Sequence, residues 1–194
     1  MPLDGPFRVL YLSNLVRSKG YLDVLRAAKF LVEIKDLEVL LAGAWFDGRE
    51  EAEALLRSPV LRGRLRYLGV VTGQAKAELL VQSHVLVFPT YYPFEGQPLV
   101  LLEAMAAGLP IISTCHAFVP DTVVAGENAL FIPPRDPGAL AEAVLSLYRD
   151  AERRRSMGLA SRALYLDRYT PARFRDHLAR LLAEAIVTER RGRQ

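Results

Sequence analysis

Six short apolar runs alternate with segments of helical period along this chain, and that alternation limits what it can fold into. Residues 8–13, 38–43, 65–69, 85–89, 110–113 and 129–133 read as strands, because each is β-prone and bounded by Gly, Pro or polar turn residues. Between and after them, helical spacing runs through 22–32, 49–57, 74–83, 98–107 and most of 137–188. Continuous apolar strands separated by helices predict a parallel sheet covered on both faces and wound right-handedly, an α/β doubly wound fold. Ligands of such sheets bind at the carboxyl ends of the strands, near the point where strand order reverses. The loops 13–20, 69–73 and 89–98 all open onto that edge.

The third of these loops leads into the most informative segment, Phe94 to Pro110, F-E-G-Q-P-L-V-L-L-E-A-M-A-A-G-L-P. Pro98 suits the first position of a helix, and Gly108 followed by Pro110 is a stop signal, so a helix is expected over about 98–107. Glu103 is the lone ionisable side chain between Pro98 and Pro110. Burying such a carboxylate costs several kcal/mol unless something pairs with it. Glu95 and Gly96 fall just before the helix, so its free N–H groups face the space beside Glu95, a site suited to phosphate. In the first loop Lys19 enters a helix start, with Arg17 and Asn14 before it; a cation and an amide donor there could hold a second phosphate across the cleft.

Composition narrows the function classes. The 194 residues suit one domain, and 51% hydrophobic with 24% charged residues is ordinary for a globular protein. Apolar runs are interrupted within about a dozen residues, short of the ~20 that span a bilayer. The first residues lack a signal-peptide pattern, so the cytoplasm is the default compartment and membrane contact is expected to be peripheral at most. Cys115 is the single cysteine, with no cluster of His or Cys to hold a metal. The net charge of +3 resides largely in arginine runs at 153–155 and 190–193. No aromatic residues interleave with them, which argues against nucleic-acid binding. Gly-x-Gly-x-x-Gly is absent after the first strand, and so is a Walker-type Gly-x4-Gly-Lys-Ser/Thr; a nicotinamide dehydrogenase and a P-loop nucleotidase are both disfavoured. His84, His116 and Cys115 are expected to be structural.

Glu95-x7-Glu103 within P-F-E-G-Q-P-L-V-L-L-E-A-M-A-A-G-L-P-I-I-S-T resembles the signature of retaining glycosyltransferases of the GT-B fold, family four, also called glycosyltransferase group 1. L-S-N-L-V-R-S-K-G, Y-L-G-V-V and V-P-D-T-V-V-A-G-E-N-A-L-F-I-P-P-R-D-P-G-A-L-A extend the resemblance along nearly the whole chain. It covers the second, donor-binding Rossmann-like half of that fold, with 1–194 as that domain and 170–194 as a terminal helix crossing to the N-terminal half. The resemblance implies that Glu103 accepts hydrogen bonds from the ribose hydroxyls of a nucleotide diphosphate sugar. It implies that Glu95 and Lys19 are catalytic, Glu95 holding the donor sugar and Lys19 stabilising the leaving diphosphate. Leu99 and Val100 N–H groups would receive the diphosphate, Gly96 and Gln97 belong to the same turn, and Val70 and Val71 would meet the base. With no Asp-x-Asp motif, no metal or other cofactor is expected.

Two departures bear on activity. Asn14 stands where many relatives place an arginine, leaving Arg17 as a candidate substitute. Ala117-Phe118-Val119 replaces a Gly-Gly or Gly-Ala pair, and Phe118 could narrow the donor site. The leading expectation is the donor-binding domain of an enzyme that moves a hexose to a hydroxyl acceptor, inactive until an N-terminal acceptor half completes it, the chain being an excised domain, a truncated product or part of a split enzyme. The alternative is a non-catalytic nucleotide-binding or interaction module; an epimerase or phosphorylase fits the Glu-x7-Glu segment less well. Leu178, Leu181, Leu182 and Ile186 form an apolar stripe, expected to be partly exposed or buried in a homodimer.

Overall fold

The computed structural model describes the backbone of residues 5–191 apart from Glu33 and Arg62, and side chains as far as Ala185. Six parallel strands form one sheet: β1 (Phe7–Leu12), β2 (Leu37–Ala42), β3 (Leu65–Tyr67), β4 (Val85–Phe88), β5 (Ile111–Thr114) and β6 (Ala129–Ile132). All six lie where the apolar runs place them. The spatial order is β3-β2-β1-β4-β5-β6, with Leu10 of β1 level with Leu40 on one side and Leu86 on the other. The chain winds outward from β1 in one direction, then returns and winds outward from β4 in the other, which is the Rossmann-like doubly wound topology.

The helices are α1 (Tyr21–Ala27), α2 (Arg49–Leu56), α3 (Gly73–Val81), α4 (Leu99–Ala106), α5 (Val119–Thr122), α6 (Pro137–Arg149), α7 (Ala151–Leu164) and α8 (Pro171–Arg191). α1 packs on α2 and α6, and α4 packs on α7. Val9, Val39 and Val87 of the sheet meet Val24, Ala27, Leu140 and Val144 of α1 and α6 in a close-packed layer. The four inner strands β1, β2, β4 and β5 are buried along almost their whole length, as their apolar character requires, while the edge strands β3 and β6 are only partly covered.

Local differences from the sequence expectation have physical causes. The first helix ends at Ala27 and tightens into a 3₁₀ turn over Ala28–Phe30. Pro98 caps α4 rather than opening it: its backbone is extended (φ −70°, ψ 110°), and its carbonyl accepts the Leu101 N–H. The region 137–188 is three helices, with a π-helical segment (Tyr165–Tyr169) between α7 and α8. α8 packs mainly on that segment, and Leu178, Leu181 and Leu182 on it are exposed; the side chain of Ile186 lies outside the described residues. Among the described residues no helix is long and apolar enough to cross a membrane.

Two glycines press the loops against the strand ends. Gly20 has φ +80°, and a Cβ there would sit 2.2 Å from the Pro89 carbonyl oxygen. Gly43 has φ +150°, and its Cβ would sit 1.9 Å from the Ser13 carbonyl oxygen. These contacts draw the ends of β1, β2 and β4 together around one edge of the sheet.

Candidate functional site at the carboxyl edge of the sheet

A cavity of about 390 Å³ opens at the carboxyl ends of β1, β2 and β4, where strand order reverses. Its floor is built from Leu12, Gly43 and Phe88 at the strand ends. Ser13, Asn14 and Lys19 enter from the first loop, Val70 and Val71 from the loop after β3, and Gln97, Leu99 and Val100 from the start of α4. Position alone leaves the Leu99 and Val100 N–H groups without helical acceptors, so the mouth of α4 presents two donors to the cavity.

Glu95 is buried, at 8% exposure. Its Oε2 accepts a hydrogen bond from Thr90 Oγ1 at 2.9 Å, and its Oε1 lies 3.4 Å from Lys19 Nζ. The same ammonium lies 5.2 Å from the ring centroid of Tyr92 and 5.9 Å from that of Phe88, so the aromatic faces steer it as well. The two residues assigned separate roles by the sequence are thus in contact with each other.

Glu103 has the partner that the cost of burying a lone carboxylate calls for. Its side chain is about one-third exposed, on the face of α4 that lines the cavity, and Oε1 accepts a hydrogen bond from Lys76 Nζ at 2.5 Å. The partner comes from α3, 27 residues earlier. Its charge is therefore met by a lysine and by solvent, not carried into the core.

Two residues expected at the site stand apart from it. The Arg17 guanidinium is held by Glu51 Oε2 at 2.8 Å and its backbone N–H by Asp47 Oδ1 at 2.7 Å, and it does not line the cavity that Asn14 lines. Gly96 also lies outside the lining, although its neighbours Glu95 and Gln97 belong to it. Phe118 is exposed and does not narrow the cavity. His84 and His116 both have structural partners: His84 Nδ1 accepts the Arg8 N–H, and His116 Nε2 donates to the Tyr92 carbonyl at 2.8 Å. Cys115 is an exposed loop residue.

Sequence reasoning missed Lys76, Ser13 and the Gly43–Ala44 pair. For Lys76 a signal was present: it is the single Lys or Arg between Arg66 and Arg135. A lone cation in so long a stretch, next to a segment carrying two glutamates, marks an electrostatic partner. Together Lys19, Lys76, Glu95 and Glu103 give the cavity balanced charge, with cations able to receive an anion and carboxylates able to receive hydroxyl groups.

The family described as "Glycosyl transferases group 1" matches residues 2–164. The chain is 31% identical over 157 residues to the N-acetyl-alpha-D-glucosaminyl L-malate synthase of Bacillus anthracis, covering 79% of this chain and 39% of that protein. It is 27% identical over 172 residues to the 2-deoxystreptamine N-acetyl-D-glucosaminyltransferase of Niallia circulans, covering 87% and 43%. Its fold superposes on Anabaena Alr3699/HepE, crystallised in complex with UDP, with a TM-score of 0.83 at 19% identity, covering 94% of this chain and 50% of that one. The C-terminal domain of the group 1 family protein LpcC from Francisella tularensis gives a TM-score of 0.77 at 20% identity and is itself covered to 88%. The chain spans less than half the length of these two curated relatives, and its fold is one Rossmann-like half of a GT-B glycosyltransferase. It belongs to the group 1 glycosyl transferases.

Proposed function

We propose that this chain is the donor-binding half of a retaining glycosyltransferase of family four, moving a hexose from a nucleotide diphosphate sugar to a hydroxyl acceptor. The observation that carries this reading is the convergence of Lys19, Glu95, Lys76, Glu103 and the start of α4 on one cavity at the strand switch point. The ribose hydroxyls donate to Glu103, and the diphosphate lies between the α4 N–H groups and Lys19. Glu95 accepts from hydroxyls of the hexose. When the bond from the anomeric carbon to the diphosphate oxygen breaks, negative charge grows on the leaving phosphate, and Lys19 stabilises it without a metal ion. The Anabaena neighbour, half of which this fold matches, was crystallised with UDP, which supports a nucleotide as the ligand.

In the same reading, transfer needs an N-terminal half that supplies the acceptor site, and the protein works in the cytoplasm. Thermal shift with UDP, GDP and ADP tests donor binding. Ligand at a hundredfold excess over Kd stabilises by about 2.7 kcal/mol, which raises Tm by roughly 5 to 10 °C for a chain of this size. A folded sample that shifts with none of the three has no donor site of this kind. Glu103→Ala is expected to weaken the stabilising nucleotide about tenfold or more, the worth of charge-assisted hydrogen bonds; unchanged affinity removes the ribose role.

A second reading, a nucleotide-binding module without catalysis, draws on one feature: Asn14 lacks a guanidinium and Arg17 is committed to Glu51. Such a module binds nucleotide but gains nothing from the attached sugar.

A further inference from the structure

We infer that Thr90 is the positioning residue for Glu95, fixing which carboxylate oxygen is left for the donor sugar. Thr90 is fully buried at the end of β4 and does not itself line the cavity. Its hydroxyl has one proton to give, and the geometry settles where that proton goes. Tyr92 N–H donates to Thr90 Oγ1 at 3.2 Å, so on that side the hydroxyl oxygen is an acceptor. On the other side Glu95 Oε2 lies 2.9 Å away, and the proton must point to it.

Glu95 Oε2 is therefore held by a donor inside the protein, while Oε1 faces Lys19 and the cavity. Thr90 is itself anchored. Its N–H donates to the Phe88 carbonyl at 2.8 Å, and its own carbonyl accepts from Thr114 Oγ1 on the neighbouring strand β5. A residue whose backbone N–H and carbonyl are both tied to strand ends, and whose hydroxyl oxygen also takes the Tyr92 N–H, has little freedom to follow a moving carboxylate. It sets the rotamer of Glu95 before any ligand arrives, which spares the donor the cost of ordering that side chain. Lys19 is the adjustable partner: at 3.4 Å its contact with Oε1 is long, and a diphosphate entering beside it can take the ammonium while hexose hydroxyls take Oε1.

This inference rests on the donor reading above, and calorimetry separates the two. Affinities are measured for whichever of UDP, GDP or ADP stabilises the chain, and for its glucose, N-acetylglucosamine and mannose esters, with the parent, Thr90→Val, Thr90→Ser and Glu95→Gln. The parent is expected to bind one ester more tightly than the bare nucleotide. Thr90→Val should lose that increment by about tenfold, as Glu95→Gln does, while nucleotide affinity stays within twofold, and Thr90→Ser should restore the increment. Thr90→Val that keeps the full increment overturns the positioning role, and so does a loss shared equally by nucleotide and ester, or a failure of Thr90→Ser to rescue. Should Thr90→Val fail to fold, Thr90→Ser and Thr90→Cys carry the comparison, with the thiol expected to lose the increment. A folded parent that binds no nucleotide overturns the donor reading itself, and this inference with it.

Discussion

Ala117 shows how a single residue records a departure from relatives. It sits in the turn after β5 with φ +48°, a left-handed conformation that a side chain with a Cβ disfavours and that glycine adopts freely. The resemblance noted glycine near this place in related proteins, and the backbone here keeps the shape that glycine would suit. Ala117→Gly is therefore expected to stabilise the fold by about 0.5 to 1 kcal/mol, read from urea midpoints at constant m-value; a destabilised variant would mean the turn holds no strain. His84 gives a second residue-scale expectation. Burial first, then the nearby charges of Arg154 and Arg8, push its pKa down from 6.5 to about 4. The neutral ring accepts the Arg8 N–H through Nδ1, so protonation both charges a half-buried ring and removes that acceptor. A depressed folded-state pKa means the unfolded chain takes up the proton first as pH falls. Stability from this site is thus full above about pH 6.5, erodes between 6.5 and 4, and is gone below. An NMR titration assigned with His84→Asn should find the His84 midpoint near 4, and a midpoint near 6.5 would refute its burial.

At the scale of elements, the strands were legible because nothing else explains runs such as Val85–Phe88, bounded by polar residues and proline. Helix α4 was legible from Pro98 and Gly108, within a residue at its start. What was not legible was pairing across elements. Lys76 and Glu103 are 27 residues apart and meet because α3 after β3 and α4 after β4 both reach the cavity at the carboxyl edge; Arg17 and Glu51 meet because α2 folds back beside the first loop. Periodicity reports which face of an element is apolar but not which polar tips converge. α8 carries its own prediction. Its described side chains, which reach as far as Ala185, are all exposed, and it leans mainly on the π-helical segment before it. Ending the chain at Thr170 should therefore leave the sheet and the nucleotide response intact, with Tm lowered by no more than about 4 °C, the effect of roughly 1 kcal/mol in a chain of this size. Light scattering on the full chain complements this: a dimer that becomes a monomer on truncation would place a second copy on the Leu178–Leu181–Leu182 stripe, and a monomer in both leaves the stripe to the acceptor half.

For the molecule as a whole, the order β3-β2-β1-β4-β5-β6 puts every proposed donor contact on one edge, supplied by four separate loops and helix starts of this chain. Binding of a nucleotide sugar asks nothing of another domain in that arrangement. In the proposed reading transfer does, because an acceptor hydroxyl must be held against the anomeric carbon and water kept away. The share of relatives left unmatched by this chain, more than half of each of the two curated proteins, has the room for that task. The chain alone should accordingly bind its nucleotide sugar and leave the sugar bond intact over hours, with product nucleotide measured by chromatography. Mixing it with a separately expressed acceptor half taken from a matched relative should raise turnover above both parts alone, and Lys19→Ala should abolish that gain while Lys19→Arg keeps part of it. Rapid transfer to an acceptor by the chain alone would show that this edge closes without a second half.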